Sequence, residues 1–227
     1  MVGLSLLVAF LALDSFVYFL VSLFVIYRDK KYLLNRMMFL IALMMSFYFL
    51  AECLMQFLLL PLEWLNLLRD LSITMAISAA LAFLLLSILM LKGEEILKSP
   101  YRIFILLILY LIIIIIAAID DRVEYGTNNV VLGFKGIVGI IFAYAVPLVS
   151  ILTAFVIFSS IYRQLDEQRV KRRIILLNTG VAFIMLALIF WAVIDLLSIP
   201  SELNTVIGHG INLLGGAMIF LAFYKNQ

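Results

Sequence analysis

The chain is poor in the residues that build catalytic and metal centres. Its 227 residues include one cysteine, Cys53, and one histidine, His209. A single cysteine excludes an intrachain disulfide and a cysteine metal cluster. Cys53 sits in an apolar run and reads as a buried, inert thiol. A single histidine excludes a multi-histidine metal or haem site, so no cofactor is expected. Charge is also scarce. Asp, Glu, Lys and Arg together make up 13% of the chain, about half the usual share. A net charge of +2 gives no argument for a nucleic-acid partner. No His-Glu-x-x-His, Gly-x-Gly-Asp or Ser–His pairing is present, and no nucleophile can be assigned to His209, so an enzyme is not expected.

What the chain has in abundance is apolar surface. Apolar residues are 67% of the total, against about 45–50% in soluble domains. A water-soluble fold of this size could not hide that much. A membrane-spanning helix needs about 20 apolar residues, and seven such runs are predicted. They lie near 2–27, 33–60, 66–91, 101–119, 137–162, 174–198 and 205–224. The fourth is almost unbroken Ile and Leu, and its length and lack of alternation favour helix over strand. In lipid the backbone must satisfy its own hydrogen bonds, which also favours helix. The first run has no basic region before it and no small-x-small pattern after it, so it is expected to be retained rather than cleaved. The expectation is an all-α, seven-helix multi-pass protein of the cell membrane, one domain over 1–227, with every loop short.

Basic residues set the expected orientation. Arg28, Lys30, Lys31 and Arg36 flank the first loop; Lys92, Lys98 and Arg102 flank the third. Arg163, Arg169, Lys171, Arg172 and Arg173 gather at the fifth, and Lys225 follows the last span. The opposite side holds only Arg69, Arg122 and Lys135. The positive-inside rule then places the N-terminus outside and the C-terminus inside. The outer side also carries Asp120, Asp121 and Glu124, then Gly126, Thr127, Asn128 and Asn129, with Ser201 as a helix cap. No convincing internal repeat is visible, so the transporter pattern of paired repeats is missing.

Ionisable groups inside hydrocarbon are expensive and usually face protein or a watery cavity. Asp14, Glu52 and Asp195 fall within spans, and His209 and Asn212 share a face of the last one, as Glu52 and Gln56 do of the second. All lie at or outside the expected bilayer middle, while the inner half has only Asn178, Thr179 and scattered serines. Asp14, Glu52, Gln56, Asp195, His209 and Asn212 are therefore the candidate ligand-binding set, in an outward-facing polar pocket with Asp14 near its floor. A channel needs polar lining through its full depth, which this asymmetry opposes. Each residue also has a purely structural alternative. Glu52 can pair with a neighbouring helix, Asp195 can touch interfacial water, His209 can donate between helices, and Asp14 can bond a carbonyl. Gly208, Asn212 and Gly216 form a small face suited to close helix packing.

Three stretches carry a family resemblance. They are Asn35-Arg36 opening the second span ahead of Glu52, Arg172-Arg173-Ile174 opening the sixth with Asp195 and Ile199-Pro200 at its end, and the Leu203-to-Phe223 helix with Gly208 and Gly215. With them the chain resembles the seven-helix sensor region at the N-terminus of prokaryotic histidine kinases and diguanylate cyclases. In that family a signalling domain normally follows the last helix, whereas this chain stops at Gln227. The resemblance implies a sensor or receptor without its own output domain, signalling through a cytoplasmic or membrane partner. Microbial rhodopsins have similar size and topology, but the last span, from His209 to Phe220, lacks their retinal lysine. Arg163, Arg169, Lys171, Arg172 and Arg173 are the candidate contacts for that partner or for anionic lipid. The ligand class stays open at this level, and homo-oligomerisation is compatible with the reading. The alternatives are a small-solute or ion transporter or channel, and a structural or assembly subunit.

Single cysteines introduced at Asn128 and Gln168 in a Cys53-free background test the orientation. An impermeant thiol reagent added to intact cells should label residue 128 and spare residue 168; the reverse pattern would overturn the assignment.

Overall fold

The computed structural model describes residues 2–28, 33–57, 60–93, 99–119, 121–125, 130–134, 138, 141–197 and 202–224. Seven α-helices are found among them: α1 (Val2–Arg28), α2 (Leu33–Phe57), α3 (Leu62–Lys92), α4 (Pro100–Ile119), α5 (Val146–Gln164), α6 (Gln168–Leu197) and α7 (Glu202–Tyr224). Between α4 and α5 come strands β1 (Asp121–Tyr125) and β2 (Val130–Phe134), then a π-helical turn over Ile141–Ala145. The chain is a polytopic helical membrane protein.

Local chemistry explains several boundaries. Pro61 cannot continue α2, and its carbonyl accepts from the amides of Trp64 and Leu65, which starts α3 earlier than the expected residue 66. Gly93 ends α3 at φ +74°, where its amide donates to the Leu89 carbonyl; a side chain is disfavoured at that φ. Pro147 supplies no amide hydrogen, and its ring crowds the carbonyl of the residue four positions back, Ala143. The backbone there widens into the π turn that holds Ala143.

Two expectations are corrected. Asp121–Tyr125 and Val130–Phe134, read as loop, form an antiparallel hairpin that pairs Asp121 with Phe134 and Tyr125 with Val130. Valines on both sides of a segment whose sequence contains Gly and Asn favour strand once outside lipid. The basic run Arg169–Arg173 is not a loop either. Leu165–Glu167 form the connection, and α6 begins at Gln168, with the Lys171 amide donating to the Glu167 carbonyl. Arg and Lys are good helix formers, so the helix extends back through them.

Six helices form a closed ring in the order α1, α2, α3, α5, α6, α7, with α7 returning against α1. Their inner faces meet in one core drawn from all six, including Val25, Met38, Phe83, Phe158, Val181 and Ile219. The fourth helix stands outside the ring, against α3, where Ile113 and Ile114 pack on Ile73 and Ile77. Tyr110 and Ser78 hydrogen-bond across this contact at 2.6 Å. The outer surface of α4 is Phe104, Leu107, Leu111 and Ile115, all exposed. A helix that is apolar all round suits a position bathed in lipid.

Five helical stretches are long and apolar enough to cross a membrane: those of α1, α2, α3, the π turn with α5, and α6. Among the described residues α4 and α7 offer shorter apolar stretches, Leu107–Ile116 and Val206–Ala222. The expected count of seven spans is thus shown for five.

Two seams bring backbones close. On α1 and α2, Ser15 Oγ donates to the Ser46 carbonyl at 3.0 Å and Ser46 Oγ donates to the Ser15 carbonyl at 2.9 Å. On α6 and α7, a Cβ added at Gly180 would meet the Gly215 carbonyl at 2.7 Å, and one added at Gly215 would meet the Gly180 carbonyl at 2.9 Å. Small residues allow such approach in lipid, where dispersion rather than water expulsion drives association. Gly180→Ala should therefore lower stability by about 1–3 kcal/mol, because the obstacle is backbone. Gly210→Ala, which meets nothing within 4 Å, should be neutral. Unfolding midpoints in one detergent compare the two directly, and equal midpoints would refute the close approach.

Candidate functional site

The deepest polar group is Asp14, halfway along α1 and 0% exposed. Its Oδ2 lies 2.8 Å from His209 Nδ1 on α7. This hydrogen bond joins the first and last helices. Asn212, one turn further along α7, offers Nδ2 to Asp14 Oδ1 at 3.5 Å, and Tyr18 donates its hydroxyl to Asn212 Oδ1, also at 3.5 Å. Tyr18 follows Asp14 by one turn of α1, so the two share a face. The resulting chain runs from Tyr18 through Asn212 to the buried Asp14, and such partners are what make a buried polar group tolerable in a low-dielectric site.

Aromatic rings enclose the histidine. Trp191 of α6 and Phe49 of α2 approach it edge-on, with ring centroids at 5.5 and 6.0 Å. Trp191 can lie there because Gly208 has no side chain; a Cβ would sit 2.6 Å from the indole. Gly216 similarly makes room for the Tyr18 ring at 3.2 Å.

Beside this network lies a cavity of about 110 Å³ inside the ring. All six ring helices and the π turn contribute to its wall. Alanines dominate one side, with Ala42, Ala76, Ala79, Ala80, Ala143 and Ala187 leaving the space that larger residues would fill. Polar atoms come from Tyr18, Tyr48, Trp191, His209 and Asn212; the rest of the lining is apolar.

The candidate set is therefore split. Asp14, His209 and Asn212 meet, and the last two line the cavity. Glu52 does not join them. Its Oε1 takes Arg69 Nη1 of α3 at 2.7 Å and the Ser72 hydroxyl at 2.7 Å, with both charged side chains 10% exposed. Gln56, partly buried one turn beyond Glu52, is not in the cavity lining. The side chain of Asp195 lies outside the described residues, as does the Ser201 cap. The shared polar pocket gives way to a largely apolar cavity with one polar wall, because Glu52 has an opposite charge to neutralise it on α3.

Arg69 and Tyr18 are the site residues that sequence reasoning missed. The sequence reads Arg69 only as one of the few basic residues on the outer side; the early start of α3 at Leu62 sets it two turns into the helix. The signal was the acid itself, since a buried Glu52 requires a cation and Arg69 is the nearest one on that side. Tyr18 was signalled by its four-residue spacing from Asp14.

On the opposite face of the bundle, Arg163 and Arg172 are exposed, Arg173 is half-buried, and the Lys171 ammonium lies 5.8 Å from the Tyr162 ring. The Arg169 side chain lies outside the described residues. Among the described residues no group of three His, Cys, Asp or Glu side chains is placed to hold a metal.

Compared with known proteins, the chain matches no family model and no curated sequence.

The buried Glu52–Arg69 pair has a measurable signature. Arg69→Met alone strands the carboxylate and should cost about 3–5 kcal/mol. Adding Glu52→Gln should recover a large part of that loss. A double-mutant cycle on unfolding free energy checks this, and strictly additive losses would show that the two side chains do not interact.

Proposed function

We propose that the chain is a non-enzymatic seven-helix receptor or sensor module of the membrane, whose ring cavity takes a small ligand. The observation that supports this most directly is the cavity's placement: it lies between α1, α2, α3, α5, α6 and α7, with His209 and Asn212 on its wall. Mostly apolar concave sites with a few convergent polar groups are the usual form of small-molecule pockets. A ligand there would touch every ring helix, so its binding would bias their relative packing.

All seven helices cross the bilayer in this proposal. α7 is 23 residues long and is held between α1 and α6, both of spanning length and apolarity. A bilayer that contains those two contains α7. α4 has 20 residues, which at about 1.5 Å per residue matches a hydrocarbon core of roughly 30 Å. The one-sided basic residues support an outside N-terminus. The resemblance to kinase-linked sensor regions supports a signalling role, with output passing to a partner. Arg163 and Arg172 are the exposed cations that would meet anionic lipid or that partner.

Sensing is favoured over conduction by the packing beside the cavity. Phe158, Val25 and Leu86 are at most 1% exposed and interdigitate across the ring, which opposes a continuous polar path. In proteoliposomes, small apolar and amphipathic solutes should bind saturably and raise the unfolding midpoint without protein-dependent net flux. Saturable, protein-dependent accumulation of solute inside the vesicles would replace the receptor reading with transport.

A further inference from the structure

We propose that the cavity selects a monocyclic aromatic ring bearing one neutral hydroxyl, a phenol-class group, through hydrogen bonding to His209 Nε2. This rests on the reading of the cavity as a ligand site and adds the ligand's chemistry to it. Size comes first. The cavity, about 110 Å³, is of the same order as the roughly 150 Å³ apolar cavity that takes up benzene, so its size matches a small single ring. Shape and electronics come next. Tyr48, Phe49, Phe83 and Trp191 line the space, and aromatic rings prefer edge-to-face or offset aromatic neighbours.

The polar wall then chooses the substituent. His209 Nδ1 is committed to Asp14 at 2.8 Å, which leaves Nε2 as the ring nitrogen available to the cavity that His209 lines. Nε2 has no hydrogen-bond partner among the described residues. Where Nδ1 gives its hydrogen to Asp14, a neutral imidazole presents Nε2 as an acceptor, which a hydroxyl satisfies by donating. Charged substituents are disfavoured. A carboxylate would enter a mostly apolar chamber near the Asp14 carboxylate, and burying an unpaired charge is costly. An ammonium would gain little, because Asp14 is fully buried behind His209 and Asn212 and is not part of the cavity wall.

The full chain in lipid nanodiscs provides the test. The chain has two tryptophans, so Trp64→Phe leaves Trp191, on the cavity wall, as the sole indole, excited selectively over tyrosine at the red edge of its absorption. Brominated rings quench indole at contact. With concentrations expressed within the bilayer, 4-bromophenol should quench saturably with a dissociation constant about fivefold below that of bromobenzene, the worth of one neutral hydrogen bond. Capping the hydroxyl, in 4-bromoanisole, should remove the preference without altering the protein. Asp14→Asn/His209→Phe, which removes the buried acid together with its partner, should bring 4-bromophenol and bromobenzene to parity; a preference that persists there would overturn the role of Nε2. Ala187→Leu, which fills the cavity, should abolish saturable quenching by all three compounds. Equal affinity of the three for the unaltered cavity would overturn the hydroxyl selection and leave the ligand cavity standing. Absence of saturable quenching by any of them, or its persistence in Ala187→Leu, would overturn the cavity as a ligand site and this inference with it.

Discussion

The contact between Asp14 and His209 closes the bundle. It links positions 195 residues apart and brings the first helix against the last. A carboxylate near the bilayer middle is excluded from the lipid face by several kcal/mol, so α1 has little rotational freedom. Once Asp14 faces inward, Tyr18, Val21 and Val25 follow on the same side. His209 imposes the same constraint on α7, placing Asn212 against Asp14 and Gly216 against the Tyr18 ring. The polar wall of the cavity is therefore a consequence of how ring closure is achieved.

Around that contact the ring has both tight and looser joints. Reciprocal serine bonds draw α1 onto α2, and facing glycines draw α6 onto α7. Across the ring, alanines of α2, α3 and α6 and the π turn ahead of Pro147 leave room that the aromatic residues do not fill. Space arises where small side chains face each other between elements held apart by larger ones. Away from that space Phe158, Val25 and Leu86 are at most 1% exposed.

The two buried acids play different roles. Glu52 is neutralised by Arg69 and bonded by Ser72, a fixed ion pair that sets the register of α2 against α3. Replacing both partners with apolar groups would be tolerated better than removing one. Asp14 instead meets a histidine that lines an open space. Only this second arrangement places a hydrogen-bonding side chain on the cavity wall.

Much of this protein is legible from local pattern. Apolar run length identifies a multi-pass membrane chain and locates its helices, with the starts of α5 and α6 displaced by nine and six residues, because lipid leaves the backbone no alternative to helix. Four-residue spacing puts Asp14 with Tyr18, and near-neighbour spacing puts His209 with Asn212, since helix geometry is the same in every context. Strand formation in β1 and β2, the early start of α3 and the extension of α6 through Arg169–Arg173 lay in local signals outweighed by the search for apolar runs. The partner of each buried polar group, the exclusion of α4 from the ring and the cavity itself were decided by tertiary structure. They depend on the order and rotation of helices about the ring. Helices that are apolar on nearly every face carry little rotational information, so which face turns inward is settled only when all the helices pack together.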